Sequence, residues 1–260
     1  MSGSLETGDG KKDFLFVNSV AKAVQVLEAF RGAGESASLT ELTHKTGLSL
    51  SAVQRFTHTW EALGYLQKDP QSRRYRLTVA ALELGYLFLC SSPLVARAMP
   101  HMVMAHEKHG LPMNLSLLSG SDVIYIVRLP HRSLKFVETL PGRRVPAFCN
   151  SAGRAFLSHL PDDRIGEILA EPKIAFTAHT LTGPAELRAE IEKARAQGYA
   201  FTRDQVLPGQ LGIGKVVYDS RRQPIAAINL VMSSDEWTEE RVVEELVPQL
   251  FQVAAAISGL

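Results

Sequence analysis

Two helix-start signals, Ser38 and Ser49, stand close together with a glycine between them, and that spacing admits few folds. Ser38-Leu39-Thr40-Glu41 has the form of a capping box, in which the hydroxyl accepts from the third helical N–H and the glutamate reaches back to the cap's own N–H. The helix it opens is expected to end at Thr46, because Gly47 supplies the left-handed residue that stops helices. Ser49 then caps another helix to Leu63, stopped by Gly64. Ahead of this pair, Val20, Ala23, Val24, Leu27 and Phe30 fall on one face of a helix, with Ser19 as its expected N-cap. Behind it, 65–68 reads as a strand, 69–72 as a turn and 73–77 as the returning strand. Helix, helix, tight turn, helix and hairpin is the order of a winged helix-turn-helix, expected over 14–77 behind a polar, disordered tail at 1–13.

In the helix after Gly47, Val53, Phe56, Trp60 and Leu63 share one face and are expected to pack inward. The other side carries Ser51, Gln54, Arg55 and His58. Glutamine and arginine have the donor and acceptor geometry that distinguishes adenine and guanine edges in the major groove. Thr40, Ser49 and Ser51 near the helix starts suit phosphate, and Lys68, Arg73, Arg74 and Arg76 make the hairpin basic. Over 14–80 there are eight Lys/Arg against five Asp/Glu. So small an excess holds DNA weakly through one module, and a dimer on two half-sites is expected. A winged helix serving as a protein-interaction module is the competing reading of this segment.

From Thr78, the expected N-cap, an almost wholly apolar helix runs through Val79, Leu82, Leu84, Tyr86, Leu87 and Leu89 to a break at Ser91-Ser92-Pro93. A helix apolar all round must be buried, most simply against its copy, so 78–93 is expected to be a dimerising linker. The remainder, 94–260, reads as α+β. Helices are expected at 94–109 (bent or split at Pro100), 152–160, 162–170, 184–197 and 238–258. Strands are expected at 113–118, 123–129, 134–139, 199–203, 212–218 and 224–232. The net charge of +1 excludes a global polyanion-binding field, and two distant cysteines exclude a disulfide scaffold. No apolar run is long enough to span a bilayer, and no secretory signal is visible, so a cytoplasmic protein without membrane contact is expected.

Over about 17–258 the chain resembles the IclR family of bacterial transcription regulators. The N-terminal resemblance lies in Ser38-Leu39-Thr40-Glu41-Leu42, Thr46-Gly47-Leu48-Ser49, Val53-Gln54-Arg55, Leu63-Gly64-Tyr65-Leu66 and Arg74-Tyr75-Arg76-Leu77. Further on it lies in Gly142, Pro146, Ser151-Ala152-Gly153-Arg154-Ala155-Phe156-Leu157, Gly198-Tyr199, Asp219 and Pro224-Ile225-Ala226-Ala227-Ile228-Asn229-Leu230. The resemblance implies a GAF-like effector domain with a curved antiparallel sheet, a dimer through the DNA-binding halves and often a tetramer. Leu50 and Ala52 stand where the family usually has a polar or basic residue and a threonine. Asn229 stands where serine is common and Lys215 where a small apolar residue is, and the acidic residues usual near 204–209 are reduced to Asp204.

The segment Phe148-Cys149-Asn150-Ser151 leads into a helix of small residues, whose open N–H groups favour an anion. A carboxylate effector is therefore expected against Ser151, Ala152 and Gly153, beside Cys149 and Asn150. Leu157, Leu211 and Ile213 would line its apolar part, and Asp204, Gly212, Asn229 and Val231 its other end. Arg143 and Arg144 read as solvated turn residues. The rival reading is an enzyme using Cys149 as nucleophile, with the helix-turn-helix as an oligomerisation module. Against it, 149–153 fails the G-x-S-x-G pattern at its first position. His101, His106 and His109 do not make H-E-x-x-H, and no cofactor or metal is expected.

Overall fold

The computed structural model describes residues 15–130 and 140–259, so the expected tail at 1–13 and strand at 134–139 lie outside the described residues. The chain divides into two compact units, one ending at Phe88 and the other beginning at Leu89.

The first unit holds α1 (Asn18–Glu28), α2 (Leu39–Thr46), α3 (Leu50–Ala62) and a two-stranded antiparallel sheet of β1 (Leu66–Lys68) and β2 (Tyr75–Leu77). The capping box at α2 forms in full: Glu41 N donates to Ser38 Oγ, and Ser38 N donates to the Glu41 carboxylate. Gly47 sits at φ 68°, turning the chain into α3, where the Ser49 hydroxyl accepts from Ala52 N. The turn is fastened by Thr46, whose hydroxyl donates to Leu42 O and accepts from Leu48 N. Val26, Phe30, Leu42, Val53, Leu66 and Tyr75 form the core.

Three local expectations are corrected. Val17, not Ser19, precedes α1, so Ser19 lies inside the helix, where its hydroxyl cannot reach the first free N–H groups. Leu63 is 60% exposed, because the helix ends at Ala62 and the stripe it continued ends there too; Thr57 is buried in α3 instead. Arg73 is in the hairpin turn at φ 57°, so the second wing strand starts later than expected.

α4 (Ala80–Ser91) contains the division between the units and has no buried residue. Val79, Leu82, Tyr86 and Leu87 are each more than 60% exposed, so the described residues do not bury this apolar segment.

In the second unit six antiparallel strands lie in the order β5-β4-β3-β8-β7-β6, from β3 (Met113–Ser119), β4 (Asp122–Leu129), β5 (Arg144–Pro146), β6 (Ala200–Arg203), β7 (Gln210–Tyr218) and β8 (Pro224–Ser233). One face packs on α5 (Pro93–His109), which runs unbroken through Pro100, and on α10 (Val247–Ile257), joining Met102, Leu115, Leu211, Ile213, Leu230 and Leu250. The other face meets α6 (Ser151–Leu157), α7 (Asp162–Ala170) and α8 (Pro184–Gln197) through Phe156, Leu157, Ile165, Leu187 and Ile191. The expected final helix is interrupted: α9 (Glu239–Arg241), capped by Thr238, passes through a π-helical turn at Val242–Leu246 before α10. Strand β5 and the 3-10 turn Ala147–Cys149 are additions that no periodicity announced, being only three residues each.

β7 explains how α6 comes so near the sheet. Its alternation sends Leu211 and Ile213 to the α10 side and Gly212 and Gly214 to the α6 side. A Cβ on Gly214 would lie 2.3 Å from Ser151 O, a separation open only to glycine.

Candidate nucleic-acid interface and ligand cavity

On α3, Ser51, Gln54, Arg55 and His58 are exposed together, opposite buried Val53 and Thr57. The helix is held from behind by Trp60, whose Nε1 donates to Ala23 O at 2.8 Å, and α1 is held to the end of α2 by Gln25 Nε2, which donates to Thr46 O. The face is therefore carried on a braced helix. Thr40 is exposed on α2, and Ser49 is engaged as the cap of α3 with its hydroxyl 3.2 Å from that of Ser51.

The four basic wing residues are not equivalent. Arg74 turns back onto α2 and its approach: it donates to Ser36 Oγ and O at 2.9 Å each and pairs with Glu41 at 2.7 Å. Arg76 donates to Gln67 Oε1, and Lys68 lies 5.4 Å from the centre of the Tyr75 ring. Arg73 is exposed in a turn shaped by Asp69, whose carboxylate accepts from Gln71 N, Ser72 N and Ser72 Oγ. Those donors hold the Asp69 carboxyl below its ordinary range.

The second unit contains a cavity of about 370 Å³. Its walls come from β3 and β4 (Asn114, Tyr125, Arg128), the segment ahead of α6 (Arg143, Val145, Cys149, Asn150) with the first residue of α6, Ser151, then β6 to β8 (Thr202, Gly212, Asn229, Val231) and the loop Gln205–Gly209. Of the sequence-expected set, Cys149, Asn150, Ser151, Gly212, Asn229 and Val231 meet here. Six others are placed differently. Leu211 and Ile213 are on the opposite face of the sheet, by strand alternation. Leu157 is in the core with Ile165 and Leu187, on the turn of α6 away from the cavity. Ala152 is closed off by the approach of Gly214, and a Cβ on Gly153 would meet Ala147 Cα at 2.3 Å. Asp204, at φ 53°, shapes the loop by accepting from Gly209 N rather than lining the space.

The helix start is thus less open than its small residues suggested. Asn150 caps α6, its amide oxygen accepting from Gly153 N at 2.8 Å and its amide nitrogen donating to Pro146 O. The Cys149 thiol donates to Pro146 O, and burial pushes its pKa up to about 12, which removes the thiolate a nucleophile requires. Burial likewise raises the Tyr125 phenol, opposed by the nearby cations Arg128 and Arg143. Arg128 Nε donates to Asn114 Oδ1 at 3.0 Å, with its guanidinium 4.6 Å from the centre of the Tyr125 ring. The two turn arginines divide: Arg144 pairs with Asp122 at 3.1 Å, whereas Arg143 lines the cavity.

Behind the wall stands Arg154, 2% exposed, donating to Phe148 O at 2.8 Å and Gln205 Oε1 at 2.6 Å and meeting Glu190 at 3.4 Å. Asn114, Tyr125, Arg128, Thr202 and Gln205 were not among the sequence-expected residues. One signal was available: Asn114 interrupts the apolar run Met113–Leu115, and a polar residue inside a buried strand needs a reason.

Two family models match the chain. Residues 19–70 match the IclR helix-turn-helix domain, and residues 87–259 match the C-terminal domain of bacterial transcriptional regulator IclR. The chain belongs to the IclR family. It is 31% identical to the Pca regulon regulatory protein of Pseudomonas putida, over 90% of this chain and 81% of that one. With the transcriptional repressor IclR of Escherichia coli it shares 27% identity over 88% and 84% of the two chains. Its fold matches the crystal structure of an IclR homolog complexed with 4-hydroxybenzoate from Microbacterium hydrocarbonoxydans (TM-score 0.74, 23% identity, 92% of this chain and 97% of that one). The IclR relatives are regulators rather than enzymes, and this chain is a DNA-binding transcription regulator. Among the described residues no single helix is long and apolar enough to cross a membrane.

Proposed function

We propose that this IclR-family regulator binds a near-palindromic DNA operator as a homodimer and releases or retains it in response to a small organic acid. The carrying observation is the pairing, in one chain, of an exposed α3 face of Ser51, Gln54, Arg55 and His58 with a cavity of metabolite size whose interior is cationic. Gln54 and Arg55 read bases, with Ser51 and His58 beside them. Thr40 and Ser49 contact phosphate, and Arg73 and Lys68 meet the backbone at the wing. Arg74 and Arg76, already bonded within the unit, place the wing and contribute their charge from there.

The dimer is supported by α4, whose apolar residues Leu82, Leu84, Tyr86 and Leu87 are exposed. Two such dimers make the tetramer expected from the family resemblance. In this reading 14–77 is the DNA-binding domain, 78–93 the linker and 94–260 the effector domain, all acting in the cytoplasm. The effector acts only if it binds the DNA-competent and incompetent arrangements with different affinity.

Fluorescence anisotropy on the DNA upstream of the protein's own gene tests this. Retention should fall steeply with salt and change on adding small carboxylates, and light scattering should give at least a dimer that Leu82→Asp dissociates. Salt-independent retention, or a monomer that binds DNA as tightly, would refute it.

A further inference from the structure

Several polar groups around the cavity have their bonds made by the chain, and the amide oxygen of Asn229 does not. Asn114, Asn150 and Gln205 all have amide oxygens engaged by donors of the chain. Asn229 is 1% exposed, and its Oδ1 is buried with no donor among the described residues. It faces the cavity from β8, in register with Gly214 on one side and Asn114 on the other. Folded proteins rarely leave a buried amide oxygen unpaired unless something else supplies the donor.

Arg143 is a second group with unused capacity in the same cavity. Its guanidinium makes no hydrogen bond or ion pair among the described residues, while its neighbour Arg144 is taken up by Asp122 and Ser119. Arg143, Asn229 and Tyr125 line the same cavity, and the charge of Arg143 opposes the rise that burial causes in the Tyr125 pKa. The carboxylate in the lining, Glu236, is exposed. The α6 start is a poor seat for an acid, since Asn150 occupies the Gly153 N–H and Gly214 closes over Ala152.

We propose that the effector is a hydroxy acid, held with its carboxylate on Arg143 and its hydroxyl donating to Asn229 Oδ1. An ammonium group could also donate to that oxygen. It is disfavoured by Arg128, bonded to Asn114 directly across the strand pair from Asn229. This assignment rests on the cavity being the effector site and adds to it the ligand's second functional group and its orientation.

Calorimetric titration of the full-length protein with two series tests it: benzoate, benzamide and the three hydroxybenzoates, then butyrate, butyramide and the three hydroxybutyrates. At least one hydroxylated acid should bind roughly tenfold more tightly than its parent. Asn229→Ala should erase that ratio while leaving the parent acid within about threefold, and Arg143→Gln should weaken both acids alike by roughly tenfold. Acids that bind without hydroxyl preference, or a preference that survives Asn229→Ala, overturn the hydroxyl assignment and leave acid sensing standing. Unchanged acid affinity in Arg143→Gln overturns the orientation. Amides binding as well as acids, or no binding by either series, overturns acid sensing and this inference with it. The parent-against-hydroxylated comparison in the unmodified protein needs no variant to fold.

Discussion

Replacing Arg154 by methionine removes the side chain that ties the segment ahead of α6, α8 and the loop of the cavity together. Its guanidinium bonds the carbonyl of Phe148 just ahead of α6, the side chain of Gln205 in the covering loop and the carboxylate of Glu190 on α8. Burial pulls the Arg154 pKa down, opposed by Glu190, so desolvation of the cation is a cost that methionine does not carry. Glu190 is one-third exposed, and its loss is screened enough to count for little. Gln205 Oε1 keeps a donor in Leu181 N at 3.1 Å, but the Phe148 carbonyl loses the bond it has. One buried carbonyl left without that donor and one charge-assisted bond lost sum to about 3 kcal/mol. In a unit of this size that lowers the melting temperature by roughly 6–12 °C. Differential scanning calorimetry of the full-length protein reads the shift, and Arg154→Lys, a cation without the planar fork, should fall between. A methionine variant melting within about 2 °C of the parent would show that the guanidinium's bonds only balance its desolvation.

Gly214→Ala should destabilise the second unit by at least roughly 1–3 kcal/mol and abolish ligand binding, because its Cβ would collide with the Ser151 backbone; an unchanged melting temperature would count against that packing. Arg55→Ala should cost roughly 1–3 kcal/mol on the preferred operator and flatten the preference among sequences, measured by competition anisotropy. Glu41 is held below its ordinary range chiefly by the Ser38 N–H and then by Arg74, so the stability it adds is complete above the ordinary glutamate pKa and is lost as pH falls through the lowered one. Urea midpoints of the helix-turn-helix unit should therefore drop on acidification, and Glu41→Gln should flatten that dependence. Native Cys149 should resist alkylation by iodoacetamide at neutral pH, read by peptide mass spectrometry, since its thiol titrates at about 12.

The helix-turn-helix was legible almost residue by residue because its determinants are local. A capping box closes within four residues, and a left-handed glycine acts on its own two dihedrals. The cavity was legible only in part. Asn229 and Val231 could be placed because their strand carries a long, regular pattern, and Cys149 to Ser151 because they precede a helix. Leu211 and Ile213 lie on the face away from the cavity because β7 is covered on both sides, and its alternation separates the two faces without saying which of them borders the cavity. Arg143 and Arg144 are neighbours of the same type whose surroundings, not identities, separate a paired cation from an available one.

By itself the sequence settled the order of the elements in the first unit, the two helices that meet at Gly47 and the exposed polar face of α3, since each depends on residues within a turn or two of one another. It also contained the apolar α4, whose large side chains are exposed. Tertiary structure alone decided that Arg74 fastens the wing to α2, that Gly214 lets α6 close its own start, and that Arg143 and Asn229 line one cavity with Tyr125. Those outcomes depend on pairings between strands and helices far apart in the chain, where register and alternation choose a side chain's surroundings.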